Sequence, residues 1–374
     1  MSMRVLTLTL AAVLASCGGS SRSSSTPAVT APTGRDVTAD ATLATKSEDV
    51  TFTAGGRAIP GTLVTPTEPG PWPAVLLLAG SGPTDRDWNS PLIASKNGSA
   101  KLLAEALAQR GAIVLRFDKA GTGGNPGPPP EALTIDTYRD EASSALTLLR
   151  ARPDVRPDRM FVAGHSEGAI HATRLAQHDP SKLAGVIYLA PASRTLADTV
   201  MTQLENQLRN PLAGLTLAQI DAELAMLRKA FDEFRAGRPV DAKTASTLPP
   251  VQMLATQLFS PASAPLARAL LFFDNAAEAS KLALPILIAS GGKDVQVDPD
   301  IDVRRLERAL VDAKRDVTLH IAPDADHVLK HEPKTMPELR ANLGAVQTGY
   351  NAEGRTLDPG LVDAVVAWLA AHTR

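Results

Sequence analysis

Residues 159–174 read RMFVAGHSEGAIHATR, an apolar strand that runs into Gly164-His165-Ser166-Glu167-Gly168 and leaves at once as a helix. No other stretch constrains the fold as much. A strand that turns straight into a helix crowds its own backbone. Glycines two residues either side of the serine relieve the crowding, because a Cβ at either place would clash. Ser166 is then held proud of a sheet, at the start of a helix.

The alternation extends in both directions. Apolar runs predict strands over 74–78, 112–117, 160–163, 186–190, 285–289 and 317–321, with helices over 100–110, 135–150, 168–178, 301–313 and 361–371 between and after them. Continuous apolar runs belong to strands buried on both faces, and strands alternating with amphipathic helices make a mostly parallel sheet flanked by helices, an α/β class. Ahead of them, Val50–Thr53 and Ile59–Val64 flank Gly55-Gly56, a hairpin signal with a turn that accepts positive φ. From Arg194 to Lys281 the alternation stops. There Leu217, Ile220, Leu224, Leu227 and Phe231 form a 3.6-period stripe. This predicts a helical cap inserted after the sixth core strand; helices packed away from any active site are the plainer alternative. The expected organisation is a core over 48–193 and 282–374 with a cap over 194–281.

The N-terminus carries a processing signal. Arg4 precedes an apolar run from Val5 to Leu14, too short to span a bilayer, which ends in Leu14-Ala15-Ser16-Cys17. Small residues before the chain's one cysteine resemble the lipobox of bacterial lipoproteins, in which that cysteine becomes the lipidated first residue. The resemblance implies signal and lipidation site over 1–17, export, and membrane anchoring to the bacterial cell envelope through Cys17; an ordinary secretory signal with a chance cysteine is the alternative. Residues 18–47, poor in large apolar side chains, read as a flexible tether. Lys plus Arg number 38 against 40 for Asp plus Glu, a formal net charge of −2, which argues against a nucleic-acid partner. Oligomeric state is left open.

A serine hydroxyl is a weak nucleophile until a base takes its proton and a carboxylate steadies that base. Of seven histidines, His327 and His331 follow the last strand, at the carboxyl end of the sheet where functional groups gather in such folds. His327 is the better placed, in the chain order serine, acid, histidine. His165, within the turn, is expected to point away from the serine. Asp294 stands just past the strand 285–289; Asp298 and Asp300 are weaker candidates, since Pro299 suggests they open a helix. A developing oxyanion needs backbone N–H donors. The turn supplies that of Glu167, and the glycine-rich loop after 74–78 supplies a second, with Ser81 the choice there. Asp85, Arg86 and Asp87 read as ordering that loop, with contact to a polar group of a substrate as the alternative. Neither a metal-ligand spacing nor a phosphate cradle is present, so no cofactor or metal is expected.

GHSEG, the loop LLLAGSGPTDRD at 76–87, LRFDKAGTGGN at 115–125, SGGKDVQV at 290–297 and the DADHVLK stretch together resemble the serine hydrolases of the α/β-hydrolase superfamily, most closely dienelactone-hydrolase-like and prolyl-oligopeptidase-like esterases. One departure is Ala120, where such relatives often carry arginine. The resemblance implies an α/β-hydrolase fold, Ser166 as nucleophile, His327 as base, Asp294 as orienting acid, and main-chain donors at Ser81 and Glu167. The expected activity is cleavage of a small-molecule ester or thioester through an acyl-enzyme. A serine peptidase on the same three residues and a catalytically silent binding module are the rivals. The apolar residues of 217–234 with Phe259, Phe272 and Phe273 hint at an acyl or aromatic pocket.

Overall fold

Among the described residues the hairpin comes first. In the computed structural model, which describes residues 34–210 and 213–374, β1 (Thr45–Ala54) and β2 (Arg57–Pro66) pair antiparallel across Gly55 and Gly56. Both glycines have positive φ, 53° and 74°, which a two-residue turn matched to strand twist requires. There follow β3 (Trp72–Leu78), α1 (Ser99–Gln109), β4 (Ile113–Phe117), α2 (Ile135–Arg150), β5 (Val155–His165), α3 (Gly168–His178) and β6 (Gly185–Leu189).

Among the described residues the sheet has eight strands in the order β1-β2-β4-β3-β5-β6-β7-β8, where β7 is Ile286–Gly291 and β8 is Val317–Ala322. Only the pairings made by β2 are antiparallel. The strand that leads into the serine turn, β5, lies centrally, between β3 and β6. Side chains alternate between two buried layers, as the strand period of two demands. Met160 and Val162 face one with α2 and α3, while Phe161 and Ala163 face the other with α1 and the C-terminal helix.

Among the described residues, five α-helices lie between β6 and β7: α4 (Leu196–Leu208), α5 (Leu217–Arg235), α6 (Pro249–Leu258), α7 (Ala264–Leu271) and α8 (Asn275–Ala279). This is the expected cap after the sixth strand. Thr216 closes a capping box with Gln219 at the start of α5. Leu224, Leu227, Phe231, Phe234 and Phe259 pack with one another in a third hydrophobic cluster. The cap is pinned at its root: Arg194 binds the fully buried Asp302 through Nη2–Oδ2 at 2.8 Å and Nε–Oδ1 at 3.2 Å. After β7 come a π-helical stretch (Pro299–Val303), α9 (Arg304–Asp312), β8, two short helices α10 (Met336–Ala341) and α11 (Leu343–Gly349), and α12 (Pro359–His372).

Packed structure reaches back beyond the expected boundary at residue 48. Val37 is buried, Thr38 N–H donates to Arg110 O at 2.9 Å, and β1 already begins at Thr45. The polar sequence of 34–47 conceals this, because what holds it is main-chain pairing rather than apolar area. The segment 1–33, with Cys17, lies outside the described residues. Among the described residues no helix is long and apolar enough to cross a membrane.

Candidate active site

β5 ends at His165, and Ser166 takes φ 54°, a left-handed backbone uncommon for a residue with a Cβ. The glycines around it answer to sterics: a Cβ on Gly168 would lie 2.6 Å from Leu78 O, and one on Gly164 would overlap the Gly168 carbonyl. Ser166 N–H donates to Leu189 O at 2.9 Å, so the first N–H left to face a substrate is that of Glu167, at the N-terminus of α3.

The acid and the base meet. Asp294, 1% exposed in the loop after β7, is oriented by Gln296 N–H at 2.8 Å and Val297 N–H at 2.9 Å on Oδ1, and its Oδ2 lies 2.8 Å from His327 Nδ1. Nδ1–H therefore donates to the carboxylate, leaving Nε2 as the free ring nitrogen. Burial by itself would push the His327 pKa down; the charge and hydrogen bond of Asp294, with Asp326 behind, outweigh it, and the net direction is up from the usual 6.5. Ser166 and His327 line one cavity of about 320 Å³. His331, half-exposed, turns instead to Asp358 at 3.4 Å, and Asp298 caps the stretch that follows it by accepting from Asp300 N–H.

His165 does not point away. Its ring stacks on Trp88 at 4.4 Å, lies 4.9 Å from the His327 ring, and lines the same cavity. Burial, with His327 adding to it, drives its pKa down to about 3, so it is neutral and Nε2–H donates to His327 O at 2.8 Å. A histidine beside the serine was visible in the sequence; its use as a buttress beneath the other histidine depends on β5 and the loop after β8 converging.

The loop after β3 supplies Gly80 and Ser81 to the cavity wall. A Cβ on Gly80 would stand 3.2 Å from the Ser166 Cβ, which shows how near this backbone comes to the hydroxyl. Arg86 and Asp87 do order the loop: the Arg86 guanidinium grips Asp118 at 2.9 Å, and Asp87 takes Arg116 Nε at 2.6 Å. With alanine at 120, the buried Glu141 has its cation from β2, Arg57 at 3.6 Å, and accepts Ala120 N–H at 2.9 Å.

Facing this loop, the cavity is walled by Gln203 of α4, Gln296, and Gln347, Tyr350 and Asn351 in and after α11. Of the phenylalanines that hinted at an acyl pocket, Phe231, Phe234, Phe259 and Phe272 belong to the cap's own core and Phe273 packs with Ile135 and Ile170 of the sheet-covering helices; none is among these residues. Those of the cap answer to each other because an isolated group of helices must bury its own apolar stripes.

Residues 93–334 match the family described as serine aminopeptidase, S33 (Hydrolase_4). The chain belongs to this family. It is a hydrolase of the α/β-hydrolase superfamily and has that fold. Esterase EstD of Thermotoga maritima is 28% identical over 329 residues, which make up 86% of this chain and 67% of EstD. Among solved structures, proline iminopeptidase of Mycobacterium smegmatis aligns at a TM-score of 0.50 and 16% identity, covering 87% of this hydrolase and 99% of that chain, a likeness of fold alone.

Proposed function

We propose that this hydrolase cleaves carboxylic esters or thioesters of uncharged small molecules through an acyl-enzyme. Ser166 attacks the carbonyl as His327 Nε2 takes its proton, Asp294 steadies the imidazolium, and the N–H groups of Glu167 and Ser81 receive the oxyanion; His327 then returns the proton to the leaving group, and water repeats the sequence. The observation that carries the reading is the Asp294–His327 bond at 2.8 Å, set behind a cavity into which Ser166 opens.

Ester rather than aminopeptidase chemistry is favoured by charge. An aminopeptidase must receive a free ammonium, and burying one without a carboxylate is expensive. Among the described residues, those lining the cavity with Ser166 include no Asp or Glu. The similarity to EstD, an esterase by name, points the same way.

A fluorophosphonate is expected to label the native protein and not Ser166→Ala, and that substitution is expected to reduce p-nitrophenyl acetate turnover by more than about 1,000-fold without lowering Tm. Turnover retained by Ser166→Ala would overturn the assignment. Hydrolysis of an aminoacyl p-nitroanilide in preference to the ester would make it a peptidase, and no adduct at all a binding module.

Export and lipid anchoring through Cys17 belong to the proposal as well, supported by the apolar run and small residues before it. Cys17→Ser should move the protein from the membrane to the soluble fraction; unchanged membrane association would remove the anchor.

A further inference from the structure

Beneath the serine turn lies a buried charged group for which the proposed reaction has so far given no use. Lys119, in the loop after β4, is 7% exposed and its Nζ donates to the carbonyl of Gly80. The same Nζ is 3.9 Å from Glu167 Oε1, with the Tyr138 ring 5.8 Å away. Glu167, also buried, has His171 Nε2 at 3.4 Å on that oxygen. Burial works against all three groups, raising the Glu167 carboxyl and lowering Lys119 and His171; at Glu167 the His171 hydrogen bond and the Lys119 charge outweigh it, and the net direction is below the usual value, so the carboxyl is ionised.

Each end of this pair reaches one of the two assigned oxyanion donors: Glu167 is itself one, and Lys119 holds the carbonyl of the peptide that bears the other, the Ser81 N–H. Gly80 C=O and Ser81 N–H are the two ends of one planar, resonant peptide unit. A cationic donor on that oxygen draws electron density toward it and leaves the N–H more positive, as in any polarised hydrogen-bond chain at low dielectric. Glu167, at the other end, carries the second N–H. The ion pair thus straps the loop after β3 to the turn after β5, setting the distance between two donors that come from separate segments. A buried lysine is costly, and a methionine would fill the same space without that cost. Its retention at this place calls for something an apolar side chain cannot do.

We propose that Lys119, paired with Glu167, is a positioning residue of the oxyanion site: it polarises the Gly80–Ser81 peptide and fixes it against the Glu167 N–H. The inference rests on the esterase reading above and adds to it where the electrostatic stabilisation originates.

The test is the double variant Lys119→Met/Glu167→Gln, which removes both charges and leaves no unpaired buried ion. With p-nitrophenyl acetate, kcat is expected to fall about 10- to 100-fold, short of the effect of deleting a donor outright, while KM stays within about threefold. Affinity for a trifluoromethyl ketone, whose tetrahedral adduct places an oxyanion in the site, should fall by the same factor as kcat. A purely structural role would not tie those two numbers together. If this variant does not fold, Lys119→Gln/Glu167→Gln, with an amide in the lysine's space, is read by the same pair of measurements. Unchanged kcat in either folded variant, or a loss of kcat with no loss of ketone affinity, overturns the proposal. Absence of ester turnover and of a phosphonate adduct in the native protein would instead defeat the esterase reading, and this inference with it.

Discussion

Asp294 and His327 were legible as residues because their chemistry leaves few choices: a strand end, a carboxylate, and a histidine later in the chain. The quality of their contact was not, since it depends on the Gln296 and Val297 N–H groups that aim the carboxylate. That contact has a pH consequence. His327 acts as base only when neutral, and Asp294 raises its pKa above the usual 6.5. Activity should therefore rise with pH through an apparent pKa above 6.5. Asp294→Asn removes the carboxylate whose charge and hydrogen bond raise it most and leaves burial, so the limb should move to lower pH, while the plateau falls by about 10³- to 10⁴-fold as the ring loses its orientation. A pH profile of kcat/KM on both proteins measures this; limbs at the same pH would show that Asp294 does not set the basicity of His327. Lys119 is the residue that sequence reading passed over, and His165 the one it expected to point away. A lysine between Asp118 and a run of glycines reads as an exposed loop residue, and nothing local reveals that Gly80 and Glu167 close over it.

At the scale of elements, local rules carried far. The glycine pair of the hairpin, the glycines of the serine turn and the apolar runs of the parallel strands are each required by sterics or burial within a few residues, and each stands where those rules place it. Helices α2 and α3 begin and end at the residues expected. The 301–313 helix instead opens with a π-helical stretch, because Asp298 and Pro299 start the turn early and the buried Asp302 must face Arg194. Helices α10 and α11 went unread for a definite reason. Each is under two turns long or close to it, with a break at Asn342, so no apolar stripe can accumulate. The cavity-facing role of α11 and the residues after it arises from position: Asn351 Nδ2 donates to Ala94 O at 3.0 Å, and the buried Lys330 bridges Asn97 O at 2.6 Å and Tyr350 O at 3.0 Å, joining this segment to the loop opposite.

For the whole molecule, the cavity is where distant segments meet, and so where the chain order says least. The cap's aromatic cluster was read as pocket because a stripe shows that a helix buries one face but not against what. The residue by which α4 reaches the cavity is polar: Gln203, whose Nε2 donates to Gln296 O at 2.9 Å. This assigns the cap a wall rather than an acyl-binding core, and the two roles separate experimentally. Gln203→Trp adds bulk where the wall stands, so kcat/KM for p-nitrophenyl hexanoate should fall about tenfold or more relative to the acetate, since the longer acyl group loses its room. Phe231→Ala, inside the cap's cluster, should cost about 3–5 kcal/mol of stability and leave the hexanoate-to-acetate ratio where it was. The opposite pattern, a ratio that follows Phe231 and ignores Gln203, would return the aromatic cluster to the substrate and require the cap to open onto it.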